Sequence, residues 1–298
     1  MNDLLRAEVA AHGDKLQMIE VHRLNDLKKE IDQFSQNEEL NGFQQWIVNN
    51  IYHYSIPETG FTVRSIILIA RHHPFYADVI FKQDGSEYSC RSLVNPGFEG
   101  MEEYLAAFME KHEYHIQKVE DLPLKRLGVQ SGLSEYGRNN ITYVPEMGSN
   151  FSLAAFFSDM PCEQDNWRSV VAAKACENCS ICIKSCPTGA IRKERFLIDN
   201  QICLSTLNEV PDAFPDWLPS SVHHTCYDCL RCQENCPMNK GHLDKMEQTV
   251  VFSEEETGML LQGIPMISLP EETKQKILML GMHQWYDAIP RNIKALMR

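Results

Sequence analysis

Cys176-x2-Cys179-x2-Cys182-x3-Cys186-Pro187 is repeated in form fifty residues on by Cys226-x2-Cys229-x2-Cys232-x3-Cys236-Pro237. Two such runs are the ligand pattern of two [4Fe–4S] clusters. Three thiolates on a tight loop take three corners of one cubane. The fourth cysteine, ahead of a proline that stops further helical winding, is directed to the other cluster. Structural zinc is the plainer rival, but zinc ribbons carry separated C-x2-C pairs rather than triplets closed by Cys-Pro. On spacing alone, Cys176, Cys179, Cys182 and Cys236 hold the first cluster, and Cys186, Cys226, Cys229 and Cys232 the second.

The chain around these runs has 298 residues, 43% of them hydrophobic, enough for one large or two ordinary domains. Eight of the eleven cysteines lie in the two runs, leaving Cys90, Cys162 and Cys203. Thiols committed to clusters imply a reducing compartment rather than a disulfide framework. With an N-terminus unlike a signal peptide and no apolar run long enough for a bilayer, the expectation is a cytoplasmic protein without membrane contact. Net charge is −13. That balance is compatible with docking of a small electron donor through a local basic patch and makes nucleic acid an unlikely partner, since nucleic acid rewards clustered Lys and Arg.

Periodicity predicts amphipathic helices over residues 1–34 with a break near Gly13, and another over 42–53 carrying Trp46 and Ile51. Val63 to Ala70 is β-branched and almost continuously apolar, as a buried strand is. Ala77–Phe81 reads as a second strand, closed by the hairpin-type turn Asp84-Gly85. A helix over 101–111 and strands over 115–119, 151–160 and 196–199 follow. Ser253-x-x-Glu256 and Ser268-Leu-Pro-Glu271 have the form of capping boxes opening C-terminal helices. The basic side chains of the last helix, Arg291, Lys294 and Arg298, read as a solvated face. Trp167 and Trp217 read as core aromatics of the cluster domain, and Cys90 and Cys162 as small apolar fillers. The whole is an α/β (α+β) chain: residues 1–160, a double-cluster domain over 161–245, and C-terminal helices over 246–298.

Leu122-Pro-Leu-Lys-Arg-Leu-Gly-Val-Gln-Ser-Gly-Leu133, Tyr136-Gly-Arg-Asn-Asn140, Pro145-Glu-Met-Gly-Ser149, Pro187-Thr-Gly-Ala-Ile191, Ile202-Cys-Leu-Ser-Thr-Leu-Asn208 and the run through Cys229 to Pro237 resemble the epoxyqueuosine reductase family over about residues 60–240. The resemblance implies a nitroreductase-like domain before the double-cluster domain and a cobalamin bound between them without a lower axial base, a layout shared with reductive dehalogenases. Electrons would enter from a ferredoxin or flavodoxin, pass through the clusters to cobalt, and reach a small or unidentified substrate. Ser131, Gly132, Leu133, Tyr136, Gly137, Arg138 and Asn139 would contribute to the corrin pocket. The family's catalytic aspartate falls near Glu120 or Asp121. A carboxylic acid desolvated beside a corrin has its pKa raised and can donate a proton at neutral pH. Tyr136 is a second donor. The resemblance nominates Cys203 rather than Cys226 for the last corner of the second cluster. His72 and His73 read as a half-exposed loop pair, and His223 and His224 as hydrogen-bond partners or surface groups. The rival reading is an electron-transfer or corrinoid-handling protein with no substrate chemistry of its own.

Overall fold

The computed structural model describes residues 1–36, 40–72, 76–94, 100–194, 197–242 and 246–298. In chain order these form α1 (Asn2–Ala11), β1 (Lys15–Glu20), α2 (Arg23–Ser35), α3 (Gly42–Asn50), β2 (Ser65–His72), β3 (Tyr76–Gln83), β4 (Ser86–Leu93), α4 (Met101–Lys111), β5 (Ile116–Val119), α5 (Leu124–Gln130), β6 (Glu135–Tyr136), β7 (Thr142–Tyr143), β8 (Phe151–Ser158), α6 (Ile181–Ser185), α7 (Leu204–Glu209), α8 (Arg231–Glu234), β9 (Met246–Phe252), α9 (Glu254–Leu261), α10 (Glu271–Met279) and α11 (Ile289–Leu296). Helices and strands mix as expected, and the C-terminal helices are present. No helix among the described residues is long and apolar enough to cross a membrane.

Two compact units result, Met1–His72 with Gly97–Asn178, and His73–Pro96 with Cys179–Arg298. This departs from the expected boundaries at 160 and 245. The cause is a long-range pairing: β3, expected within the N-terminal part, runs parallel to β9 with Val79 opposite Val250 and Phe81 opposite Phe252.

The first unit is built on an antiparallel sheet in the order β1-β2-β8-β5. The reason β2 is apolar at every position from Ile66 to Ala70 lies in its alternation. Ile66, Leu68 and Ala70 pack with Leu24, Leu27 and Ile31 of α2 on one face. Ile67 and Ile69 pack with Leu5 and Val9 of α1 and Leu105 and Met109 of α4 on the other. A strand covered on both faces has no polar side, and each fully buried Ile or Leu contributes roughly 1.5–3 kcal/mol. At the end of β2, Arg71 binds Asp14 through Nε at 3.1 Å and Nη2 at 2.8 Å, and the Tyr104 hydroxyl donates to the same carboxylate at 2.7 Å. This pins the β1 entry, the β2 exit and α4 together.

The second unit joins the β3–β4 hairpin, the cysteine runs and the C-terminal helices. Asp84 and Gly85 both have positive φ, 53° and 74°, as a two-residue turn matched to strand twist requires. Ser253 and Glu256 form the expected reciprocal cap of α9. Glu256 also accepts from Thr273 Oγ1 at 2.9 Å and Lys276 Nζ at 2.8 Å, fastening α10 to α9. Leu260, Ile277, Ile289 and Ile293 close the core over Phe81 and Phe252.

Several expectations are corrected. Lys15–Glu20 is a strand, not helix: Leu16 and Ile19 stand three apart, but they face opposite sides of β1 and are held by pairing with β2. Ser268 does not cap α10, whose N-cap is Pro270. Leu197–Asp199 is not a strand, and Phe196 and His73 lie outside the described residues. Arg291 is no solvated face: its guanidinium stacks on Phe214 at 3.7 Å and donates to the carbonyls of Leu207, at 2.7 Å, and Asp212. Trp217 is half-exposed, and Trp167 packs in the first unit beneath Arg23.

Candidate iron–sulfur site

Each cysteine run folds as a loop, a short helix and a Pro-terminated exit. Cys182 lies on α6, which ends at Cys186 in extended conformation before Pro187. Cys232 lies on α8, and Cys236 is extended before Pro237 opens a 3-10 turn. Helices α6 and α8 pack on each other, so the two runs form one pseudo-repeated body.

The runs are not conformationally equal. Asp228 and Leu230 take positive φ, 55° and 62°, which costs an L-residue roughly 1–2 kcal/mol each. The Asp228 carbonyl is clamped there by Asn208 Nδ2 at 2.7 Å and Thr225 Oγ1 at 3.0 Å. This winding separates Cys226 from the rest of its run. Cys226 is fully buried in the apolar core with Ala77, Val79 and Phe81, and its thiol hydrogen-bonds with that of Cys90. That bond, with burial, pushes the Cys226 thiol up.

Cys203 sits at the N-cap of α7. Burial raises its pKa, the backbone N–H groups of Ser205 and Thr206 act against this, and the charge of Cys186 adds to it. Burial likewise pushes Cys229 up to about 12, with Cys203 and Cys186 contributing through their charge. Cys186 and Cys203 thus stand near enough to Cys229 for their charges to act on it, while Cys226 interacts with Cys90. Among the described residues no three Cys, His, Asp or Glu side chains are gathered tightly enough for a single ion. The ligands of a cubane, which is larger than one ion, stand further apart. Iron would reverse the pKa direction, since a coordinating thiol is deprotonated outright.

Two carboxylates beside this group escaped the sequence reading. Ser205 Oγ bridges Glu209 Oε1 at 3.3 Å and Asp228 Oδ1 at 3.2 Å. Burial lifts Asp228 to about 6. Burial, then the charge of Asp228, lifts Glu209 to about 7. Spacing gave no signal for them. His224 holds the backbone, with Nδ1 2.7 Å from the Val222 carbonyl and Nε2 2.6 Å from that of Cys229.

In the first unit, the loop over 131–140 turns most of its side chains inward. Ser131 Oγ donates to Gly128 O at 3.0 Å, and Asn139 Nδ2 to the Tyr143 hydroxyl at 2.8 Å. Leu133 is buried in the core, and Tyr136 is buried with its phenol raised to about 12 by desolvation. A Cβ on Gly137 would come within 2.6 Å of both Asn139 Oδ1 and the Tyr143 ring, so only glycine fits. Gly132, at φ +83°, is half-exposed, with Arg168 Cζ at 4.0 Å the nearest atom to its Cβ side. The side chains of Ser131, Leu133 and Asn139 are buried in the protein, and a cofactor would meet this loop along its backbone at Gly132. Arg138 is turned to Cys176, with its N–H 3.4 Å from Sγ.

Glu120 and Asp121 are both exposed in this conformation. Glu120 is 3.7 Å from Lys118 with 81% of its side chain accessible, and Asp121 is 3.1 Å from His53 Nδ1 with 52% accessible.

Residues 175–239 match the 4Fe-4S double cluster binding domain family. The cysteine body described above is therefore that of a two-cluster iron–sulfur protein. Beyond that segment, the chain resembles epoxyqueuosine reductases. It is 26% identical over 239 residues to the epoxyqueuosine reductase of Staphylococcus aureus, covering 73% of this chain and 58% of that one. Its fold is that of the Bacillus subtilis enzyme solved with its catalytic loop swung out of the active site, at TM-score 0.68 and 20% identity over 99% of this chain and 81% of that one. An epoxyqueuosine reductase solved with an epoxyqueuosine-modified tRNA stem loop overlays at TM-score 0.66, with 20% identity and the same shares. The chain spans less than two thirds of the length of the curated relatives it matches first. Net charge alone does not make nucleic acid an unlikely partner, because total charge says nothing of a local surface.

Proposed function

We propose that this chain is an iron–sulfur, cobalamin-dependent reductase. Electrons from a low-potential ferredoxin or flavodoxin pass through two [4Fe–4S] clusters to a corrinoid that reduces a substrate, in the reducing cytoplasm. The observation that carries this reading is the double-cluster segment tied by hydrogen bonds at Cys176 to the glycine loop over 131–140. Cys176, Cys179, Cys182 and Cys236 are assigned to the first cluster, and Cys186, Cys203, Cys229 and Cys232 to the second. The mutual charge of Cys186, Cys203 and Cys229 supports that choice.

The first unit is assigned the corrinoid, approached along the backbone at Gly132. Bound there, a corrinoid supplies two-electron reducing chemistry, which single cubanes do not. Tyr136, buried and protonated at neutral pH, retains a proton near the loop. Glu120 and Asp121 are assigned the proton delivered to substrate, from a loop that must close to lose its water. A catalytic loop swung out of the active site in the Bacillus subtilis relative supports such movement. The exposure of both carboxylates favours the second reading, a two-cluster protein that reduces a corrinoid for another enzyme.

The test is anaerobic turnover of epoxyqueuosine-containing tRNA by reconstituted chain with reduced flavodoxin, with and without cobalamin. Turnover that requires cobalamin supports the first reading. Cobalamin reduction without turnover supports the second, and neither activity refutes both.

A further inference from the structure

We propose that Arg138 sets the reduction potential of the cluster held by Cys176, by fixing a cation and an N–H donor against that ligand. This rests on the assignment of Cys176 as a ligand and goes beyond it. The Arg138 N–H lies 3.4 Å from Cys176 Sγ. Its guanidinium reaches round the same residue to the carbonyls of Cys176, at 2.5 Å, and Glu177, at 3.5 Å.

The placement is built rather than incidental. Tyr136 pairs with Ala172 as an isolated bridge, Ala173 N donates to Tyr136 O at 2.7 Å, and Cys176 N donates to Ala173 O at 2.8 Å. Loop and ligand are thus one hydrogen-bonded turn apart. On the other side of Arg138, Asn140 takes φ +59° and donates to Gly137 O at 3.0 Å. That tight turn presents residue 138 to the cysteine. The Gly137-Arg138-Asn139-Asn140 block therefore has a physical reading: glycine for clearance, the asparagines for the turn, arginine for the ligand.

A cubane ligated by four thiolates is an anion, and one-electron reduction adds a further negative charge to it. A fixed cation, and an N–H aimed at a ligand sulfur, each stabilise the reduced form more than the oxidised one. The neighbouring charges Lys174 and Glu177 are exposed and opposite in sign, so solvent screens them. Arg138 is half-buried and held by two carbonyls, so its charge is screened less than theirs. For a partly screened pair the effect is on the order of tenfold in the reduced-to-oxidised ratio at a given potential, about 59 mV for one electron.

The experiment is an EPR-monitored potentiometric titration of the full chain carrying both clusters, with iron counted. Arg138→Gln keeps the backbone N–H and removes the charge. It lowers one of the two midpoints by about tenfold in ratio and leaves the other in place. Arg138→Lys, whose hydrated ammonium stands off from the carbonyls, lowers the same midpoint by about threefold. Either variant with full iron and unmoved midpoints overturns the proposal. If Arg138→Gln binds less iron, Arg138→Lys decides. Failure of the underlying assignment looks different: Cys176→Ser would then retain full iron and both EPR signals.

Discussion

Replacing Cys203 and Cys226 one at a time by serine separates two cysteines that spacing alone cannot. Cys226 is fully buried, hydrogen-bonded to Cys90 and surrounded by Val79, Phe81 and Val250, so its serine variant places a hydroxyl in an apolar core. An imperfectly satisfied hydroxyl there costs roughly 1–3 kcal/mol. It is not one of the assigned ligands, so iron stays at about eight per chain, as two cubanes require. Cys203 lies near enough to Cys186 and Cys229 for their charges to interact. Its serine variant removes a corner of the second cluster, and iron falls towards about four per chain with loss of one EPR signal. The assay is anaerobic reconstitution, removal of loose iron, iron and sulfide determination, and denaturant unfolding. If Cys203→Ser keeps all its iron and Cys226→Ser loses half, the reasoning from burial and mutual charge is refuted.

Two further outcomes test the scaffold. Asp14 is 3% exposed and carries Arg71 and Tyr104, so Asp14→Ala takes the carboxylate away from a largely buried guanidinium and a buried phenol. Unfolding of the first unit becomes easier by about 3 kcal/mol, measured by denaturant titration, and a loss under 1 kcal/mol would contradict the role given to this network. Burial alone would raise Glu256, but the Lys276, Ser253 and Thr273 hydrogen bonds outweigh it and hold the carboxyl below its ordinary value. A lowered folded pKa means that the stabilisation is present above the ordinary carboxylate pKa and is lost as pH falls through the folded value. Glu256→Gln therefore costs about 2 kcal/mol at pH 7, and the gap to wild type closes towards pH 3. A gap independent of pH would show that the charge plays no part.

What the sequence made legible was what local chemistry decides. β2 was legible because a run buried on both faces must be apolar throughout, the β3–β4 turn because Asp84-Gly85 accepts positive φ, and the cysteine body because its ligands are close in sequence. β1 was not, because Leu16 and Ile19 fit a helical stripe as well as two faces of a strand. Nor was β9, whose partner lies some 170 residues earlier. The same holds in the site. Cys226 satisfies the spacing of a ligand, yet its environment is set by Cys90 on β4, distant in sequence. Nor was the contact of Arg138 with Cys176 legible, because only the fold shows that the loop over 136–140 returns to residue 172.

The central claim is that these two clusters serve a corrinoid. Its most direct test is to reconstitute the chain anaerobically, add cobalamin, remove the excess by gel filtration and record the visible spectrum of the protein fraction. The account predicts about one corrinoid retained per chain, with the spectrum of the base-off form. A protein fraction with full iron and no corrinoid would contradict it.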